Sequence, residues 1–223
     1  MPAPPALVLF DLDGTLTDSA EGIVKSLTHA FRALGDPAPA ESILRGEIGT
    51  TLPDVFARHL AEPSEPRIAR AIDAYRERFD RVGWQENRVY DGIPAQLAQL
   101  RAQGVRTVVA TSKPATFAER IVAHFDLDPH FDRVYGSTLD GRLADKAELL
   151  AHILAEQGQG ARHCVMVGDR HHDVRGAHAV GARMVGVLWG YGSRDELEDA
   201  GADELCPRVD ELAALVSGPR VGS

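Results

Sequence analysis

The sequence predicts an α/β fold, a parallel-sheet core interrupted near its start by an inserted helical unit. Three observations carry that prediction. Short apolar runs rich in β-branched residues alternate with helical patterns, which is how a parallel sheet covered on both faces is written. The stretch from Thr17 to Asn87 holds helical stripes and no convincing strand. Most of the apolar runs lead into Gly, Asp or Thr/Ser, at the strand ends where such sheets collect ligands.

Taken in order, Leu7–Phe10 (LVLF) reads as a buried strand. Ile23, Leu27, Ala30, Phe31 and Leu34 then form one helical stripe, stopped at Gly35. Leu52, Val55, Phe56, His59 and Leu60 form a second stripe, and Ile68, Ala71, Ile72, Tyr75 and Phe79 a third. Pro37, Pro39, Pro63 and Pro66 punctuate them. The sheet pattern resumes with a helix carrying Ile93, Leu97 and Leu100, followed by a strand over Arg106–Ala110. Phe117, Ile121 and Phe125 mark the next helix, and Phe131–Tyr135 a weaker strand. Leu149, Leu150, Ile153 and Leu154 mark another helix, before strands at His163–Val167 and Met184–Leu188. The expected division is a core of residues 1–16 and 88–223 with an inserted helical cap of residues 17–87. The Pro/Ala opening and the Ser/Gly/Pro tail from Ser217 read as loose ends.

Composition narrows the function. The 223 residues carry 24 Lys+Arg against 33 Asp+Glu, a formal charge of −9. That disfavours a nucleic-acid footprint and a grip on anionic membranes. Apolar residues make up 44% of the chain, enough for a sizeable core. The first apolar run is short and lacks a cationic lead, so no signal peptide is expected. No stretch reaches the roughly 20 apolar residues of a membrane helix. Cys164 and Cys206 are too few for a disulfide framework. A cytoplasmic protein is expected.

The sharpest motif is FDLDGTLTDS, Phe10 to Ser19. Asp11 and Asp13, two residues apart on an extended strand exit, can face one side. One carboxylate can act as a nucleophile and the other as a general acid and base. Gly14 permits a tight turn, and Thr15 adds a hydroxyl. Thr111, Ser112 and Lys113 follow the Arg106–Ala110 strand. Hydroxyls there can donate to phosphate oxygens, and a helix cap is the alternative. Lys146 opens a helical pattern; taken alone it reads as a solvated lysine. The His163–Val167 strand runs into Gly168 and Asp169, with Asp173 four residues on. Such carboxylates suit Mg2+, whereas Asp169 alone could be a helix cap.

In this order, Asp-x-Asp, Thr111, Lys146 and Gly-Asp-Arg-x-x-Asp, the chain resembles the haloacid dehalogenase superfamily and its phosphatases with a helical cap. VVATSKP, GSTLDGRLADKAELL, VMVGDRHHDVRGA and GVLWGYGS look closest to the phosphoglycolate phosphatase and 5′-nucleotidase branch. The resemblance implies a Rossmann-like core and a Mg2+-dependent phosphatase of small phosphorylated metabolites. It makes Asp11 the nucleophile that forms an aspartyl-phosphate. Asp13 becomes the acid/base and lends its carbonyl to Mg2+. Thr111 binds the phosphoryl group, and Lys146 pairs with Asp11 and the phosphate. Asp11, Asp13, Asp169 and Asp173 form the metal set. Asp13 favours phosphoryl transfer over dehalogenation, where a leaving halide needs no proton.

The resemblance makes the cap a lid, with hinges at Asp18–Ser19 and Asn87–Tyr90. Its loop Arg45–Thr51 is the candidate substrate contact through Arg45, for which a solvated arginine is the alternative. Relatives often carry prolines where Thr50 and Thr51 stand. Ser112 and Lys113 are further candidate substrate-binding residues. His59, His171, His172 and His178 lack cysteine partners at zinc spacing. The segment Trp189–Ser193 is expected to be a flexible loop near the site. A β-phosphoglucomutase-like phosphomutase and a non-enzymatic binding protein on the same fold remain alternatives. The sequence is silent on oligomeric state.

Overall fold

A computed structural model describes residues 5–218; most of the opening and of the tail read as loose lies outside the described residues. Strand β1 (Leu7–Phe10) leads through β2 (Thr17–Asp18) into helices α1 (Ala20–Ala33), α2 (Glu41–Gly46), α3 (Leu52–His59) and α4 (Glu65–Arg78). A π turn over Phe79–Gly83 continues α4. Then follow β3 (Arg88–Val89), α5 (Ile93–Ala102), β4 (Arg106–Pro114), α6 (Ala115–His124) and β5 (Arg133–Ser137). The chain ends through α7 (Lys146–Gln157), β6 (Cys164–Gly168), α8 (His171–Val180), β7 (Arg183–Val187), α9 (Arg194–Ala200), β8 (Glu204–Cys206) and α10 (Leu212–Ser217). No helix among the described residues is long and apolar enough to cross a membrane.

The chain divides into two compact units. One comprises the chain through Thr17 and again from Val89, and the other is Asp18–Arg88. The two crossings, β2 and β3, pair as a two-stranded sheet. Each is two residues long, too short to leave a periodicity in the sequence.

In the first unit six strands lie in the order β5-β4-β1-β6-β7-β8, and every pairing is parallel. This is the α/β architecture expected. β1, β6 and β7 are buried at every position, so neither sheet face can meet water and helices must cover both. One layer is built from Leu149, Leu150, Ile153 and Val174 against Leu7, Leu9, Met166 and Met184. The chain moves from β1 outward to β4 and β5, then crosses back to β6 on the other side. The carboxyl ends of β1 and β6 therefore flank the point where strand order reverses, the crevice where open α/β sheets bind ligands.

Four expected strand boundaries shift: the strands placed at His163–Val167 and Met184–Leu188 are Cys164–Gly168 and Arg183–Val187, and two further shifts have consequences. The weak strand placed at Phe131–Tyr135 is Arg133–Ser137. Phe131 is buried through an edge-to-face contact with Phe10, not through strand pairing. The helix cap considered for Thr111–Ser112 is absent, because β4 runs on to Pro114 and α6 starts at Ala115.

The inserted unit has its own core. Phe31 and Phe56 meet edge to face at 5.4 Å, and Tyr75 stacks on Phe79 at 5.5 Å. Glu47, at the end of α2, accepts two bonds from Arg58 at 2.7 Å and lies 2.7 Å from His59 Nε2. Burial pushes its carboxyl up, but the bonds from His59 and Arg58 bring it below the usual range. The α2–α3 loop is thereby fastened to α3. A cavity of about 400 Å³ within this unit is lined by Lys25, Glu41, Arg45, Glu86 and Arg88, among others.

Arg183 is a structural residue the sequence pattern did not mark. Its buried guanidinium donates to the carbonyls of Leu215, Val216 and Gly218 and lies 2.7 Å from Glu204. It ties α10 to the β8 edge of the sheet. Arg183→Met leaves a largely buried carboxylate without its ion-pair partner and the helix-end carbonyls without their donor. Urea unfolding is expected to show a loss of about 3–5 kcal/mol, with Arg183→Lys between this variant and wild type.

Candidate active site

Parallel register places the site. Phe10 lies beside Val109 on one side and Val167 on the other. The residues just beyond, Asp11 after β1, Thr111 on β4 and Asp169 after β6, therefore emerge at the same edge of the sheet. The Asp11 amide donates to the Val167 carbonyl at 2.9 Å, extending the pairing to the candidate residue itself.

Lys146, the first residue of α7, is buried rather than solvated. Its Nζ lies 2.9 Å from Asp11 Oδ1 and 2.8 Å from Asp173 Oδ1, and donates to the Ala110 carbonyl at 2.9 Å. Burial alone would lower its pKa, but Asp11 and Asp173 raise it, so it stays charged. Burial in turn lifts Asp11 to about 6, against the opposing pull of Lys146.

Asp169 is fully buried. Its carboxylate accepts from the Thr15 hydroxyl at 3.3 Å and the Tyr191 amide at 2.7 Å. Burial, with Asp173 and Asp11 nearby, holds its pKa well above the ordinary value. Asp169 does not cap α8; Arg170 occupies that position, and its amide donates to Asp173 Oδ2 at 3.1 Å. Gly14 makes this packing possible. Its φ is +85°, and a Cβ there would lie 2.2 Å from Asp169 Oδ2.

Asp13 stands apart from the other three carboxylates. Its Oδ2 lies 3.0 Å from Lys113 Nζ, both side chains being largely buried, and its Oδ1 is buried without a hydrogen-bond partner. Thr111 is buried, and its Oγ1 accepts the Lys113 amide at 3.2 Å, leaving the hydroxyl hydrogen to donate elsewhere. Ser112 is half-buried on the same strand end, and its carbonyl accepts the Ser137 hydroxyl at 2.8 Å. Arg45 belongs to the inserted unit, where it is exposed on α2 and lines the cavity there.

Asp11, Asp169 and Asp173 each offer an oxygen, all within 4.8 Å of one another. Counting Asp13, four carboxylates face the two ammonium groups of Lys113 and Lys146, an excess of two negative charges. All-oxygen donors with that excess fit a hard divalent cation. The segment expected to be a flexible loop is anchored here. Trp189 Nε1 donates to the Thr15 carbonyl at 3.0 Å, and Tyr191 donates its amide to Asp169. The Trp-Gly-Tyr-Gly pattern marked the place but not these bonds, which are made largely by backbone.

The model of the haloacid dehalogenase-like hydrolase family matches residues 8–187. A 5′-nucleotidase of Pseudomonas aeruginosa is 45% identical over 208 residues, covering 93% of this chain and 92% of that protein. The tyrosine-protein kinase PtkA of Mycobacterium tuberculosis is also 45% identical, over 211 residues, covering 93% of this chain and 71% of that one. A crystal structure described as a predicted phosphatase from Clostridium acetobutylicum superposes with a TM-score of 0.91 at 40% identity, covering 96% of this chain and 99% of that one.

The charge excess has a cost that removal of one carboxylate should reveal. Asp169→Asn relieves a buried carboxylate without changing its shape. In chelator the variant is expected to be about 0.5–2 kcal/mol more stable than wild type by urea unfolding. A loss of stability there would contradict the electrostatic reading of the site.

Proposed function

This chain belongs to the haloacid dehalogenase-like hydrolases, and we propose that it is a Mg2+-dependent phosphatase of small phosphomonoesters, with nucleoside 5′-monophosphates as the favoured class. The observation that carries the reading is the pairing of two differently held aspartates. Asp11 is ion-paired to Lys146, and Asp13, two residues on, to Lys113.

Asp11 is the nucleophile. Lys146 holds its Oδ1, which orients the carboxylate and opposes its protonation. The second oxygen attacks phosphorus, and the bond to the leaving oxygen breaks. Asp13 gives that oxygen a proton, so the alcohol leaves neutral. In the second half Asp13 takes a proton from water as the water attacks the aspartyl-phosphate. Phosphate departs and Asp11 is regenerated. Thr111 donates to a phosphoryl oxygen, and Ser112 and Lys113 line the same strand end. Asp11, Asp169 and Asp173, with the Asp13 carbonyl, would hold Mg2+. When bound, the cation would supply positive charge that offsets the negative charge of the transferring phosphoryl group. Arg45 is the inserted unit's contact to the substrate.

The 5′-nucleotidase relative supports the nucleotide class, and phosphoglycolate is the second substrate to test. The kinase relative favours a second reading, phosphoryl transfer to a protein tyrosine. We place the protein in the cytoplasm, where its two buried free thiols need no oxidising partner.

The test is phosphate release from nucleoside monophosphates, phosphoglycolate and hexose phosphates, with and without Mg2+. A parallel arm offers ATP and a tyrosine-containing protein. Mg2+-dependent release, greatest from nucleotides, is expected. Sugar-phosphate interconversion without release would replace hydrolase by mutase, and protein labelling without release would replace it by kinase. Asp11→Asn is expected to lower kcat by at least about 1,000-fold, with an unfolding midpoint close to wild type. Asp13→Asn is expected to lower it by about 100- to 10,000-fold.

A further inference from the structure

We propose that Glu196 is a positioning residue for the cation site, an inference that rests on the reading of Asp169 and Asp173 as ligands. Glu196 touches neither of them. Its Oε1 gathers three groups from the turn between them: Arg170 Nε at 2.8 Å, the His171 amide at 3.0 Å and His171 Nδ1 at 2.6 Å. One carboxylate oxygen thus holds both the side chain and the backbone of the residues that connect the two acids.

The carboxylate is itself fixed. Glu196 lies in the first turn of α9, and its amide donates to the Ser193 side chain at 3.0 Å. The chain just before it encloses Asp169. The Tyr191 amide donates to Asp169 Oδ2, and a Cβ on Gly192 would lie 1.9 Å from the Asp169 carbonyl oxygen. The segment after β7 therefore grips the metal turn at two levels, by backbone at Asp169 and by the Glu196 side chain at Arg170 and His171. Arg170 in turn donates its amide to Asp173 Oδ2.

A hard divalent cation is selected by the spacing of its oxygens, which must be set before binding to keep the ordering cost low. In the ion-free protein Asp11, Asp169 and Asp173 repel one another. A restraint on the turn that carries two of them counters their separation. Loss of groups that orient metal ligands typically weakens metal affinity by about 10- to 100-fold.

The experiment is calorimetric titration of the full chain with Mg2+ alone, for wild type, Glu196→Ala and Glu196→Gln. Glu198→Ala, from the same helix, is the control; its partner is the exposed Arg194. The expected result is about 10- to 100-fold weaker Mg2+ binding in Glu196→Ala. Glu196→Gln, which keeps an acceptor oxygen, should be weakened less but measurably, and Glu198→Ala should bind as wild type. At saturating Mg2+ the KM for phosphomonoester should stay within about threefold of wild type. A purely structural role would instead lower the unfolding midpoint in chelator and leave Mg2+ affinity untouched. Mg2+ affinity within twofold of wild type, in whichever of the two Glu196 variants folds, overturns the proposal. Absence of Mg2+ binding by wild type overturns the cation reading and this inference with it, and differs visibly from a failure confined to Glu196.

Discussion

Lys146 Nζ sits among Asp11, Asp173 and the Ala110 carbonyl, and the site depends on that junction. A buried ammonium loses its hydration, and two carboxylates restore the balance. Those carboxylates are equally dependent on it, since each lies within 4.8 Å of the other and of Asp169. The three partners come from the end of β1, from β4 and from α8, so their meeting fixes how three segments align. Local helix energetics oppose the arrangement. A cation in the first turn of α7 opposes the helix dipole, and the preceding Asp145, which accepts the Glu148 amide at 3.0 Å, offsets part of that cost. Local preference is overruled at Lys146 because the position serves the site.

The sheet was legible because its strands are buried on both faces, which leaves unbroken apolar runs at β1, β4, β6 and β7. The candidate site was legible because parallel strands share an edge, so residues just beyond the runs had to gather. What escaped has identifiable causes. Lys146 looked like a surface lysine, because burial of a charged residue is set by partners distant in sequence. The pairing of Lys113 with Asp13 has the same origin. The Trp189–Ser193 segment looked loose, because glycines signal flexibility in isolation and close approach only when the neighbour is known. Arg183 was invisible, since three backbone carbonyls and one carboxylate leave no trace in residue type.

The inserted unit obeys separate rules. Its core is aromatic, and its loops are fastened by ion pairs such as Glu47 with Arg58 and His59 and Asp36 with Arg67. None of these residues belongs to the carboxylate group of the other unit. Substitutions in the inserted unit can therefore vary its loops without touching the carboxylate group, provided the two crossings at β2 and β3 keep their pairing.

The central place of β1 in the sheet also bears on when the protein becomes competent during synthesis. Asp11 leaves the ribosome early, yet its partner Lys146 follows 135 residues later, and Asp169 and Asp173 later still. A growing chain can assemble the helical insertion from neighbouring sequence, but β1 gains its second flanking strand only when β6 has emerged. Such non-local parallel pairing is slow to form, and until it forms β1 presents an open hydrophobic edge. Asp11 is thus kept apart from Lys146, Asp169 and Asp173 in every incomplete chain, and the carboxylate group assembles late, in one step, with the closing half of the sheet.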